Sequence, residues 1–424
     1  MRAFLPALAL FLVVLPGSAR AHIGASGAAD VAAGSAGDIA LEEAWGLLLS
    51  DGSGFEWVCH EILTAPGVVV QPAYVMNDDG VLLGLTGLGN GSRVDGESVY
   101  RSEDGCSWVP PAGLSDRIVA QAAFAPGMPQ VALAVSADYA VDGYDNVIAR
   151  STDAGATFEV VRSVSDVLLR DVTFGAGGTA WVVGVAEDPP AALLYRSDDA
   201  GLTWDSVPID GSGAESLFFP SLLGTHPTDA DVFWLGLDGN SADLVLRTSD
   251  GGDSFAPVSG APAALVDLVP QGDGAWITSG DRELLWAADG VAFGPVEAPQ
   301  VWGGGMRVGT LLLAADTSRE RTALWSRDGE EFAPVFETAD LRAPSCAPGT
   351  EVGDECAPLW DELVVWLEAN IPPDETGDDD DSGSGEPPPP GCGGCAGVGQ
   401  SVAPWESSFL LLVLGAYLVR RRTQ

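Results

Sequence analysis

The sequence predicts an all-β fold, a seven-bladed β-propeller with four strands per blade. Three observations predict it. A short motif recurs seven times, apolar runs fall at fixed places between the copies, and the spacing of the copies suits a four-stranded unit. The fullest copies are ARSTDAGATF (149–158), YRSDDAGLTW (195–204) and LRTSDGGDSF (246–255). YRSEDGCSW (100–108), LWAADGVAF (285–293), LWSRDGEEF (324–332) and LLLSDGSGF (47–55) lack one residue before the glycine. Their anchoring acids are Asp51, Asp104, Asp153, Asp199, Asp250, Asp289 and Asp328, separated by 53, 49, 46, 51, 39 and 39 residues.

Each unit reads in the same order. An innermost strand such as IVAQAAF (118–124) or VLLRDVTF (167–174) comes first. A short apolar run follows, as in VLLGL (81–85), VALAV (131–135), WVVGV (181–185), VFWLG (232–236) and TLLLA (310–314). Runs that short, β-branched and bounded by Gly, Asp or Pro are buried strands. A third strand leads into the motif, and a fourth leaves it, three times as Phe-Ala/Gly-Pro-Val. The motif itself suits a tight turn. Asp199 accepts backbone N–H groups within it, Ser197 does so more weakly, and Gly201 supplies a positive φ. Trp204 is expected to tuck between neighbouring hairpins. Seven copies at one topological position point to a requirement of the fold, not to seven ligand sites.

The pattern Ser/Thr-x-Asp-x-Gly-x-x-aromatic resembles the Asp-box, or BNR repeat, of sialidases, xyloglucanases, sortilin-type receptors and photosystem II assembly factors, over residues 40–340. That resemblance implies a propeller whose activity resides in loops. A sialidase of this kind carries an arginine triad, an Arg-Ile-Pro motif near its start and a Tyr–Glu nucleophile pair. The nearest match here is Arg117-Ile118-Val119, without the proline, and nothing marks the Tyr–Glu pair. Xyloglucanases use two propellers where this chain has repeats for one. The reading is therefore a non-enzymatic binding or scaffold module for a protein or glycan. The alternative is a glycoside hydrolase or lyase using a carboxylate pair on the face opposite the motif turns.

That opposite face carries the loops 88–96, 138–146, 187–190, 238–243, 280–283 and 316–321 and the connections between blades. Its aromatic, acidic and arginine side chains are the candidate ligand groups: Arg93, Asp95, Tyr139, Tyr144, Asp238, Arg282, Trp302, Arg319 and Arg321. No cofactor is expected. Calcium is the one metal considered, because Asp138, Asp142, Asp145 and Asn146 crowd one loop with hard oxygen ligands, although a solvated acidic turn is favoured.

The net charge of −42 excludes nucleic acid as a partner, since phosphate binding needs a basic surface. Residues 1–21 read as a signal peptide: Arg2, an apolar run, Pro16-Gly17 and an Ala-x-Ala cleavage site. Export permits disulfides, and the six cysteines pair in sequence order as Cys59/Cys106, Cys346/Cys356 and Cys392/Cys395, the first two being expected bridges. The propeller then occupies 22–340, and 341–370 forms a disulfide loop and a short helix. In that helix Leu359, Leu363, Trp366 and Leu367 share one face, docked on the propeller, a closing strand being the alternative.

Residues 371–391 form a disordered acidic, proline-rich linker. The last segment, 392–424, joins a cysteine motif, a short hydrophobic helix (409–419) and Arg420–Arg422. Eleven apolar residues at about 1.5 Å each reach roughly half of a ~30 Å hydrocarbon core. The segment resembles the MYXO-CTERM sorting signals of secreted myxobacterial proteins. The resemblance implies processing by a sorting protease at Cys392 or Cys395, and a protein held at the cell surface. A plain C-terminal membrane anchor is the other reading.

Overall fold

Seven innermost strands stand side by side around one axis, each packed beside the next, and the seventh returns to the first. The computed structural model describes residues 28–370 apart from 34–37, 44, 51, 65–71, 87–96, 137, 141–142, 188–189, 210–218, 239–243, 263–264, 308–309, 316–321 and 329–330. The expected signal peptide and linker, the C-terminal segment with Cys392 and Cys395, and residues Asp51, Arg93, Asp95, Asp142, Arg319 and Arg321 lie outside the described residues.

Blade 1 contains β1 (Ala28–Ala33), β2 (Ile39–Glu43), β3 (Gly46–Ser50) and β4 (Phe55–Val58). Blade 2 has β5 (Ala73–Met76), β6 (Leu82–Leu85) and β7 (Val99–Ser102); an isolated bridge, Arg101 to Val109, stands where a fourth strand would be. Blade 3 contains β8 (Val119–Ala125), β9 (Met128–Ser136), a two-residue β10 (Tyr139–Ala140), β11 (Gly143–Ser151) and β12 (Glu159–Ser165). Blade 4 is β13 (Val167–Phe174), β14 (Ala180–Glu187), β15 (Pro190–Ser197) and β16 (Asp205–Pro208). Blade 5 is β17 (Phe219–Thr225), β18 (Phe233–Asp238), β19 (Leu244–Thr248) and β20 (Ala256–Pro257). Blade 6 is β21 (Leu265–Gln271), β22 (Gly274–Ser279), β23 (Leu284–Ala287) and β24 (Gly294–Val296). Blade 7 is β25 (Val301–Arg307), β26 (Thr310–Ala315), β27 (Thr322–Asp328) and β28 (Glu331–Glu337). All named pairings within blades are antiparallel, and the expected strand order holds.

The apolar runs become second strands because neighbouring blades cover both of their faces. Leu83, Leu133, Trp181, Val182, Val183, Trp234, Ile277 and Leu313 are fully or almost fully buried there. Such strands carry no polar side for alternation to reveal.

The motif turns join third strands to fourth strands, as expected. In blade 4, Asp199 Oδ1 accepts the N–H groups of Leu202 (3.0 Å) and Thr203 (2.8 Å), and Oδ2 accepts the Thr203 hydroxyl at 2.6 Å. Ser197 Oγ accepts the Gly201 N–H at 2.9 Å. Ala200 and Gly201 lie at φ of 56° and 85°, and a Cβ on Gly201 would sit 2.5 Å from Leu133 of the preceding blade. Trp204 is buried and donates from Nε1 to the Gly201 carbonyl at 3.0 Å. Asp153 and Asp250 repeat the backbone and hydroxyl contacts, and Asp104 and Asp289 keep the backbone ones. The seventh copy differs: Asp328 ends β27 and is the register partner of Glu331 at the start of β28.

The arginine before the motif's Ser/Thr has a role that the repeat alone did not disclose. Arg101 Nε donates to the Ala154 carbonyl of the next blade's turn at 2.7 Å, and Arg150 Nε to Ala200 at 2.7 Å. Arg196 Nη1 reaches Gly251 at 3.3 Å. Each arginine thus fastens its own blade to the following turn.

Ring closure corrects the expected disulfides. Cys59 pairs with Cys356, and Cys106 with Cys346, with Cα–Cα distances of 5.3 and 5.5 Å. Sequence proximity misled because the chain after blade 7 runs back over blades 1 and 2. Arg342 forms a parallel bridge to Glu56, the same between-blade bridge made by Ala112 to Thr157 and Ser259 to Ala292. Ser345 Oγ donates to Glu56 Oε2 at 2.8 Å. The segment then forms α1 (Glu351–Glu355) and α2 (Trp360–Asn370). Val352 N–H donates to the Cys106 carbonyl, and Trp108 N–H to Glu351 Oε2, beside blade 2's reduced outer edge. Leu363 and Leu367 are buried in the cluster that holds Trp57, Cys59 and Ile62, with Leu359 and Trp366 packed against it, the helical face expected.

Candidate functional site

Strand direction divides the propeller into two ends. The motif turns and the first-to-second-strand turns lie at one end. The second-to-third-strand loops and the connections between blades lie at the other, called here the upper face.

Of the candidate ligand residues, Tyr139 and Tyr144 are register partners in the β10–β11 hairpin. Asp238 ends β18 opposite Phe219, and Trp302 is the residue skipped at the β25 bulge between Val301 and Gly303. Arg282, at φ 66°, makes the β22–β23 turn, its N–H donating to the Ser279 carbonyl at 2.8 Å. These residues belong to blades 3, 5, 7 and 6 in turn, and only the two tyrosines are paired in register.

The acidic loop of blade 3 is tied to its own fold. Asp138 Oδ2 pairs with Arg117 Nη1 at 2.9 Å, and its Oδ1 accepts the Ile118 N–H at 2.8 Å. Arg117 Nη1 also reaches the Asp145 carbonyl, and buried Asn146 donates from Nδ2 to the Val167 carbonyl. Arg117, noted above for lacking the sialidase proline, thus serves as a loop clamp. Among the described residues, no group of three His, Cys, Asp or Glu side chains is placed to hold a metal ion.

A different cluster occupies the upper side of the blade 1–blade 2 junction. β2 ends there in Glu42 and Glu43, which are 7% and 0% exposed. The single 3₁₀ turn His60–Ile62, in the connection from β4, brings His60 and Glu61. Tyr74, near the start of β5, completes it at 4% exposure. The His60 and Tyr74 ring centroids are 6.1 Å apart, and Tyr74 meets Trp108 edge-on at 5.8 Å. Tyr74 Oη and His60 Nε2 are shut off from solvent and have no hydrogen-bond partner among the described residues.

Burial sets the charge states here. It pushes His60 down to about 4, leaving the imidazole neutral near pH 7. Burial raises Glu61, with repulsion from Glu355 adding to it. Burial and the nearby Glu42 and Glu61 hold the Tyr74 hydroxyl far above its ordinary value. The groups around Tyr74 are thus acidic and aromatic, with a neutral histidine beside them.

Two further acids sit on innermost strands. Asp171 follows the β13 bulge; its Oδ1 accepts the Val172 N–H and its Oδ2 the Leu222 N–H of blade 5. Asp267 follows the β21 bulge and accepts from Leu268 and from Gly304 of blade 7. Burial raises both to about 6, against the lowering effect of those hydrogen bonds. Each bridges its own blade to the next one. Their sequence signal was an acid interrupting an apolar strand, in LLRDV and LVDLV. Glu42 and Glu43 offered the same signal in IALEE, whereas Tyr74 offered none.

No family profile matches the sequence, and no curated protein matches it. Solved structures do. A puromycin-hydrolysing peptidase of Mycobacterium tuberculosis shares 13% identity over 75% of this chain and 54% of its own, with a TM-score of 0.50. YCF48 bound to D1 peptide shares 18% identity over 52% of this chain and 67% of its own, with a TM-score of 0.35. The Hadza microbial sialidase shares 16% over 65% and 70%, with a TM-score of 0.40. The chain spans about half the length of the peptidase. At such identities what is shared is the propeller fold.

Proposed function

We propose that this protein is an exported, surface-tethered propeller that binds a protein or glycan on its upper face without chemically changing it. One observation carries the reading. The buried groups at the blade 1–blade 2 junction are acidic and aromatic, yet Tyr74 Oη and His60 Nε2 lack hydrogen-bond partners among the described residues. An activated nucleophile needs a base within hydrogen-bond reach, which in turn needs an orienting group. Aromatic rings beside carboxylates suit recognition instead. The motif turns support this too, because their Asp and Ser/Thr groups are spent inside the turn.

The finer elements belong to the same proposal: Asp-box ancestry, export by residues 1–21, retention through the 392–424 segment and its processing at Cys392 or Cys395. Among the described residues, no helix is long and apolar enough to cross a membrane. The decisive experiment incubates the purified chain with chromogenic glycosides and polysaccharides, and in parallel measures retention on immobilised glycans and envelope proteins. Retention without turnover is expected. Turnover abolished by substituting one upper-face Asp or Glu overturns the reading in favour of a glycoside hydrolase or lyase.

A further inference from the structure

Two residues past the motif aromatic, the outgoing chain of a blade turns a backbone N–H to the outside of the ring. Blade 1 uses that group. Trp57 N–H donates to the Arg342 carbonyl at 3.2 Å, and Arg342 N–H to the Phe55 carbonyl at 3.0 Å, so a returning segment pairs main chain to main chain along the outer edge of β4. Four other blades remove the donor. Pro110, Pro257, Pro295 and Pro334 stand two residues after Trp108, Phe255, Phe293 and Phe332. Proline on an outer strand withholds what a further strand would need. Blades 3 and 4 carry Val160 and Ser206 instead. The preceding residue divides the blades in the same way. It is Glu56, Glu159 or Asp205 in blades 1, 3 and 4, and Val109, Ala256, Gly294 or Ala333 where proline follows.

Of the two blades left without proline there, blade 4 is already served. The Trp204 carbonyl accepts Arg162 Nη1, and the four-residue β16 stops at Pro208. Blade 3 is open. Its β12, EVVRSVS, runs for seven residues without a proline. The connection from blade 2 reaches only its base, where Phe158 N–H donates to the Ala112 carbonyl at 2.8 Å and Gly113 lies against the Phe158 carbonyl. Beyond that point, no backbone group of Glu159–Ser165 bonds outside its own sheet among the described residues. Val160 is 47% exposed, and Glu159, Ser163 and Ser165 are exposed with it. Arg162 does not guard the edge, because its side chain crosses to blade 4 and lies over the Tyr195 ring. A bulge at Val161 leaves two short stretches, the first of which corresponds to the one used in blade 1.

We propose that the outer edge of β12 receives an extended segment of a partner protein, one carrying an arginine or lysine beside Glu159. The proposal goes beyond the upper-face reading and does not depend on it. Blade 1 supplies the charge precedent. Glu56 holds the paired segment through its side chain as well, with Ser345 Oγ donating to Oε2 at 2.8 Å and Arg342 Nη2 4.0 Å from Oε1. Glu159 is the corresponding acid, and it faces solvent. A second copy of this chain fits the edge less well, since a net charge of −42 opposes self-association and attracts a basic strand.

Fluorescence anisotropy on the full chain tests this, with a labelled decapeptide of alternating threonine and valine around one central arginine. The same peptide with methylated backbone nitrogens keeps the charge and loses the donors. Saturable binding of the first peptide and none of the second is expected, with slowed hydrogen exchange at 159–165. Val160→Pro, which copies four sister blades, and Glu159→Arg should each weaken binding at least ten-fold. Asp205→Asn, at the served position of blade 4, should leave it unchanged. No binding by the wild-type chain, equal binding of the methylated peptide, or protection confined to another edge overturns the proposal. So does binding that neither Val160→Pro nor Glu159→Arg weakens. Should Val160→Pro lower the melting temperature, Glu159→Arg at an exposed position and the exchange pattern still decide. Retention of Val160→Pro on glycans and envelope proteins should match the wild type, which keeps failure at this edge distinct from failure of the upper-face reading.

Discussion

The joints between blades 2 to 5 and the seam where blade 7 meets blades 1 and 2 solve one problem with different chemistry. Within the ring, successive blades are already linked by the chain. A single arginine reaching the next turn, as Arg150 reaches Ala200, adds what is needed. At the seam blade 1 is built wholly from the start of the described chain and blade 7 from residues 301–337, so no strand is shared across it. Closure there uses a returning segment, two disulfides, the Arg342–Glu56 bridge and an amphipathic helix. The lesson is that a ring's weakest joint lies where covalent continuity is missing, and this chain supplies the continuity through sulfur.

The comparison can be broken most forcefully at the seam. Replacing Cys59 and Cys356 together with serine should cost about 2–5 kcal/mol, because that bridge closes nearly the whole propeller into one loop. Urea denaturation measures the loss, and hydrogen exchange should show 341–356 opening before the core of blades 3 to 5. Uniform protection across both regions would remove the distinction.

A smaller effect is expected within the ring. Asp199→Ala deletes an acceptor for two N–H groups and a hydroxyl, and should cost about 1–3 kcal/mol while sparing ligand retention. Unchanged stability with lost retention would return the motif to the status of a binding site.

The smallest effect is a slope. Asp199 is held down at about 2 by its hydrogen bonds with Thr203 and their neighbours, so its stabilisation is present above the ordinary value near 4 and fades as pH falls toward 2. Asp171 and Asp267 behave oppositely. Their folded-state values are raised to about 6, so the folded chain holds its protons more tightly than the unfolded chain, and stability declines as pH rises from about 4 to 6. Asp171→Asn should flatten that decline whatever it does to absolute stability. A melting-temperature profile between pH 4 and 7 reads it directly.

Much of the fold was legible in the residues. Short apolar runs fully covered by neighbours, and an Asp, Gly and aromatic at fixed spacing, are local signals, and they placed the third-to-fourth-strand turns of blades 3 to 6 correctly. The candidate site was far less legible. Glu42, Glu61 and Tyr74 come from a second strand, a connection and an innermost strand of two blades, and no spacing rule joins them. The upper-face residues read from composition, such as Asp138, turned out in that case to be held by a neighbouring arginine.

By itself, then, the sequence determined the repeat, the blade count, the turn chemistry and the strongly acidic charge. Those follow from local backbone preference, side-chain periodicity and composition. Only the tertiary structure decided which cysteines pair, how the ring closes, why the motif carries an arginine and where a buried tyrosine lies near carboxylates of another blade. Each of these depends on segments distant in the chain being brought within bonding range. Cys59 and Cys356, 297 residues apart, meet because the chain circles the axis and comes back to where it began.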